Sequence, residues 1–188
     1  MANVNAYMGF QPVRSLSGGQ VASVNKYLIQ SGYAVSLYTG DAVILSSGYL
    51  ATGAQDSALL VGIFAGCQFL DASGVPGARF SPYWPASTVT TGSADVIAYV
   101  WDDPLTLFRV QCSVGTAYVN ATHQGGSYDL IGTNAGSTLT GQSGMELNLG
   151  DTGTGQFLVR GLIEEPGNAA GTNAKVEVLI RKHLWKGN

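Results

Sequence analysis

Short apolar runs, alternating or continuous, recur along the chain and are cut every few positions by glycine, proline or a polar pair. VNKYLIQ, AVILSSGYLATG, LLVGIFAGCQFL, DVIAYVW, LTLFRVQCSV, GQFLVRGLI and NAKVEVLIRKHL are rich in β-branched and aromatic side chains and bounded by turn residues, which predicts strands. In KVEVLIRKH, Val176, Val178 and Ile180 alternate with Glu177, Leu179 and Arg181, the period-two pattern of a half-buried strand. Apart from one short turn near VNATHQGG, no segment shows the period of an amphipathic helix. The pattern predicts an all-β chain with little helix: a small β-barrel or β-sandwich with long loops and an extended N-terminal arm.

Punctuation refines this outline. Residues 1–20 lack both periods and carry Pro12 and the pair Gly18-Gly19, which reads as the arm; residues 21–188 read as one β-rich body, with a division near 100–115 left open. Ser46-Ser47-Gly48 predicts a tight hairpin. Gly62 and Gly66, inside an apolar strand, predict bulges or a close backbone approach. Asp71 to Gly77 reads as a polar loop, and Pro82 and Pro85 make RFSPYWPAST extended but not a central strand. Residues 115–144 are rich in Gly, Ser and Thr, yet Tyr118, Val119, Tyr128, Leu130 and Ile131 supply anchors for an ordered loop.

Candidate chemistry is sparse. YVWDDPLTLF places Asp102 beside Asp103, and paired carboxylates can share a proton or hold a cation. On a continuing strand they would point to opposite faces, and Asp103-Pro104 favours a turn between two strands, with an acid or metal role as the lesser alternative. GDTGTGQF lacks the Gly-Lys-Ser/Thr ending of a phosphate loop, and GQSGM around Ser143 falls short of a nucleophile elbow. Asn120-Ala121-Thr122 matches a glycosylation sequon by pattern only. Cys67 and Cys112 sit in apolar runs and read as buried thiols, and only His123 and His183 could add to a metal site.

Composition changes the picture in one respect. Charged residues are 11% of the chain against roughly 25% in ordinary soluble domains, and Gly at 26 of 188 is about twice its usual share, which gives a polar but uncharged exterior suited to cover by neighbours. The net charge is −3, and the nine Lys and Arg are scattered apart from RKHLWK, so no basic stripe points to nucleic acid. No apolar run reaches the ~18 residues of a membrane span, and MANVNAYMGF has no basic start or apolar core of a leader, so synthesis and retention in a cytoplasm are expected. Tyr83, Trp84, Tyr99, Trp101 and Phe108 cluster in sequence and read as core or as a contact surface.

Taken in order, VNAYMGFQPVR, YTGDAVIL, VGIFAGCQFLD, SPYWPAS and AYVWDDPLTLFRVQC resemble the head decoration, or capsid cement, proteins of tailed bacteriophages. The resemblance is strongest from residue 2 to about 112 and looser across GLIEEPGNAAGTNAKVEVLI. It implies a β-rich virion protein on the outer capsid surface, a homotrimer near threefold and quasi-threefold positions that clamps the major capsid protein. It implies no catalytic residue, cofactor, metal, nucleic acid or membrane. Phe10, Pro12, Tyr83, Trp84 and Trp101 are the expected capsid or trimer contacts. Two other readings stay open: a carbohydrate-binding β-sandwich of a tail or adhesion protein using Tyr83 and Trp84, and a hydrolase using Asp102 or Asp103.

Overall fold

The computed structural model describes residues 3–19, 23–55, 59–70, 72, 79–113, 115–151 and 155–186. Along the chain run β1 (Gln11–Ser15), β2 (Val24–Ile29), β3 (Leu37–Tyr38), β4 (Ala42–Ser46), β5 (Tyr49–Thr52), β6 (Gly62–Phe69), β7 (Arg79–Ser81), β8 (Tyr83–Trp84), β9 (Val96–Trp101) and β10 (Thr106–Gln111). A single helical turn, α1 (Asn120–His123), falls where VNATHQGG suggested it, and β11 (Ser127–Ile131), β12 (Glu146–Asn148), β13 (Phe157–Leu162) and β14 (Lys175–Ile180) follow. The polar loop expected at Asp71–Gly77 lies outside the described residues except for Ala72, as does the centre of GDTGTGQF.

The strands form two large antiparallel sheets and one small one. The first has the order β1-β10-β14-β13-β11-β12; the second has the order β2-β9-β6-β4-β5, with β7 also on β6; β3 pairs with β8. Neither large sheet closes into a barrel, and the all-β fold is sandwich-like. One core, with Phe10, Phe108, Phe157, Val176 and Val178, lies under the first sheet and takes in Ala42, Leu60 and Ile63 from the second. The other, with Phe64, Trp84, Val96, Ala98 and Val100, lies on the opposite face of the second sheet from Ile63.

Local chemistry explains the turns. Ser47 and Gly48 both have positive φ, at 51° and 87°, so a two-residue turn joins β4 to β5 with Ser46 opposite Tyr49. Gly62 takes no side chain because a Cβ there would stand 2.2 Å from the Trp101 carbonyl oxygen. Gly66, at φ +131°, sits at a register shift between β6 and β9, and the Phe80 ring occupies the space of its missing side chain. Both glycines thus behave as their position in an apolar strand predicted.

Asp103-Pro104 turns the chain between two strands as expected, and the turn is a corner and not a hairpin: β9 is held between β2 and β6, β10 between β1 and β14, so Asp102-Asp103-Pro104 carries the chain from one sheet to the other. This corner falls in the window where a division was left open, but the chain returns across it: Leu60 bridges His183, and Leu184 packs on the second core. Residues 1–20 are extended where described, yet they are stitched into the body rather than standing off it. Asn3 bonds the 169–172 loop, Ala6 N–H donates to Gln111, Phe10 enters the core, and Pro12 sits in an edge strand, where its missing N–H costs nothing. Finally, β14 is buried on both faces, because Leu107, Leu158 and the Arg14 and Arg160 side chains cover the face that alternation left for solvent.

Candidate interaction surfaces

At the corner the two carboxylates part. Asp102 is buried and turns back to β2, where it accepts from Asn25 Nδ2 at 2.8 Å and Tyr27 Oη at 2.6 Å. Asp103 caps its own turn, its Oδ1 accepting from Leu105 N–H at 2.9 Å and its carbonyl from Thr106 N–H. The two carboxylates hold different partners, although both residues line one open cleft with Asn25 and Trp185. His183 lies close by, buried, and burial pulls its pKa below the usual imidazole value against the opposing pull of Asp102 and Asp103. Among the described residues no three His, Cys, Asp or Glu side chains gather as a metal would require.

The expected contact residues divide. Phe10 and Trp84 are fully buried: Phe10 stacks on Phe157 at 4.2 Å, while Trp84 meets Phe69 edge-on and donates its Nε1–H to the Tyr33 carbonyl. Both are core residues and present nothing to a partner in this fold, which corrects that part of the sequence reading. Pro12, Tyr83 and Trp101 are half-buried. Tyr83 stacks on Tyr38, and Trp101 packs against the first core where the two sheets meet.

Sequence reasoning missed the larger exposed surface. Cross-strand pairing sets Leu28, Ile97, Gln68 and Phe80 side by side on one face of the second sheet, across β2, β9, β6 and β7. At the other end of this face Ile63 and Trp101 are covered by the first sheet. At this end Phe80 is 64% exposed, Leu28 44% and Ile97 37%. Tyr99 joins the row, its ring 6.1 Å from Phe80 and its hydroxyl on Gln68. The missed signal was alternation in VNKYLI and VIAYVW, which places apolar residues on both faces.

A second surface is charged. On the outer face of the first sheet Glu177 accepts Arg14 Nε and Nη2 at 2.7 and 2.8 Å and Arg160 Nη1 at 2.6 Å. Beside it Glu165 meets Lys175 at 2.8 Å and Arg109 at 3.5 Å, and the hydrogen bond from Lys175 lowers its pKa.

Inside, Asp41 carries a burial that its hydrogen bonds offset only in part. Burial pushes its pKa up to about 6, against the opposing effect of the Ser143 hydroxyl and the Tyr38 N–H that its carboxylate accepts. Ser143 is itself buried, its Oγ accepting the Met145 N–H, so this hydroxyl serves the loop between β11 and β12. Both cysteines are buried and free, and burial raises their thiol pKa values, that of Cys67 to about 12. The folded chain holds the Asp41 proton more tightly than the unfolded chain, whose pKa is near 3.8, so stability from this group falls as pH rises from about 4 to 6. Asp41→Asn is expected to flatten that slope, gaining on the parent by about 2–3 kcal/mol between pH 4 and 7 in urea-midpoint measurements. A parallel slope in both proteins would contradict this.

No protein-family model, no curated protein and no solved structure matches this chain.

Proposed function

We propose that the chain is a capsid decoration protein, binding the outer surface of a tailed-phage head as a homotrimer and cementing the major capsid protein lattice. The observation that carries this reading is the exposed row Leu28, Ile97 and Phe80 on one face of the second sheet, a patch suited to cover by a partner. The ordered set of segments that resembles cement proteins supports it. A protein that binds the assembled lattice and not its free subunits adds its binding free energy to the stability of the shell. No reacting group is needed for that; the requirement is area and complementarity.

The test uses heads of the parent phage with this protein removed. Added back, it is expected to bind and to raise the temperature at which heads release DNA. Phe80→Ser, which alters an exposed side chain, is expected to weaken binding at least about tenfold, the loss of one well-buried aromatic contact. Failure of the parent protein to bind, together with its absence from purified heads by mass spectrometry, would sink the proposal.

One observation favours a carbohydrate-binding module of a tail or adhesion protein as the second reading. Trp185, 55% exposed, walls a cleft with Asn25, Lys26 and Asp102, and its Nε1–H donates to the Tyr27 hydroxyl, which fixes the ring. An indole face beside an amide and a carboxylate suits a sugar ring and its hydroxyls. Trp84, the aromatic singled out in the sequence, is buried and cannot serve. Binding of the parent protein to a glycan array, with no binding to heads, would decide for this reading.

A further inference from the structure

Four of the nine Lys and Arg residues, Arg14, Arg109, Arg160 and Lys175, stand on one face of the first sheet around two carboxylates, Glu165 and Glu177. Even with Glu164 at the rim, this face keeps a positive excess on a chain whose net charge is −3. Two neighbouring open depressions, which share Gln124 and Arg160, lie over it between β1 and β13 and together form a groove. At one end Arg14 and Arg160, 53% and 48% exposed, are held in place by the buried Glu177. Glu177 uses Nε and Nη2 of Arg14 and Nη1 of Arg160, so Nη1 of Arg14 and Nε and Nη2 of Arg160 have no partner among the described residues. At the other end, past Arg160 and Gln124, the floor is Leu107, Leu158 and Leu179, with Leu16 exposed at the rim. Along its side runs β1, whose outer edge carries no ladder partner among the described residues.

We propose that this groove takes an acidic peptide segment, a carboxylate side chain on the Arg14–Arg160 pair and a neighbouring apolar side chain on the leucine floor. The complementarity is of two kinds at once. Two guanidinium groups oriented by a third charge present a preformed fork for a carboxylate, and the apolar floor next to it rewards a leucine-like side chain. A nucleic-acid strand would bring phosphates past Glu164 and Glu177 and gain nothing from the floor. The inference rests on the lattice-docking reading for the source of the segment, a capsid subunit, and gives a clamp its second contact, on a different sheet from the Leu28–Ile97–Phe80 row.

The probe is a fluorescein-labelled, end-capped hexapeptide of alternating leucine and glutamate, titrated into the full-length protein and followed by polarisation. Saturable binding is expected, with affinity at least tenfold lower for Arg160→Gln, for Leu16→Ser and for the parent protein in high salt, and unchanged for Phe80→Ser. Arg160→Gln changes a half-exposed side chain and leaves Arg14 on Glu177, so the fold is kept; its melting temperature checks this. Equal binding of a leucine–lysine peptide, equal affinity for Arg160→Gln, or displacement by inorganic phosphate or oligothymidylate as effective as by peptide would overturn the assignment. Peptide binding without any binding of the parent protein to heads would sink the lattice reading and leave the groove. Heads bound equally well by Arg160→Glu would sink the groove and leave the lattice reading.

Discussion

Phe10→Ala is expected to lower the stability of the chain by about 3–5 kcal/mol. The ring has no exposed surface, lies stacked on Phe157 with the planes 10° apart, and belongs to the same core as Phe108, Val159 and Val178. Truncation leaves a cavity in the larger core, and it also removes the buried apolar side chain that ties the described part of the N-terminal segment to that core. In a domain of this size the loss corresponds to roughly 10 °C in melting temperature by differential scanning calorimetry. Pro12→Ala next to it, in a half-buried edge position, should move the transition by a small fraction of that. Equal effects of the two substitutions would mean that the segment contributes as a loose strand and that its phenylalanine is no keystone.

Gly62→Ala should cost about 2–4 kcal/mol although it adds a single methyl group. That methyl would stand 2.2 Å from the Trp101 carbonyl oxygen and 2.8 Å from Val100 Cγ1, and the first of these is backbone held in a ladder on both sides. Relief requires β6 and β9 to separate at the centre of the second sheet. Gly115→Ala is the control: nothing lies within 4 Å of its missing Cβ, and a change within about 0.5 kcal/mol is expected. Chemical denaturation of both proteins reads the difference directly. A Gly62→Ala protein as stable as the Gly115→Ala one would show that the sheet has slack at this crossing.

Strand content was legible because each strand satisfies its backbone locally with period-two or continuous apolar patterning, and the hairpin at Ser47-Gly48 announced itself through residues that tolerate positive φ. Which strands pair was not legible. The neighbours of β10 are β1 and β14, far away in sequence, and nothing in DDPLTLF distinguishes a hairpin from a corner between sheets. The same non-local pairing misled the reading of Phe10 and Trp84. Each lies beside a proline in a segment without periodicity, and only the approach of Phe157 to one and Phe69 to the other makes them core. The interaction surfaces escaped for a related reason. Leu28, Ile97 and Phe80, or Arg14, Glu177 and Arg160, are each scattered over three strands and meet only through register.

The corner at Asp102–Leu105 also orders events during synthesis. The second sheet is built from residues 24–101, a contiguous stretch that can close on its own core as soon as β9 has left the ribosome. The first sheet has no such option, because β1 is made early and its partner β10 comes more than ninety residues later, with β14 later still. Until then the N-terminal strand waits with its phenylalanine uncovered. Phe10 therefore lacks its cover from the first sheet until β10, β13 and β14 have been made.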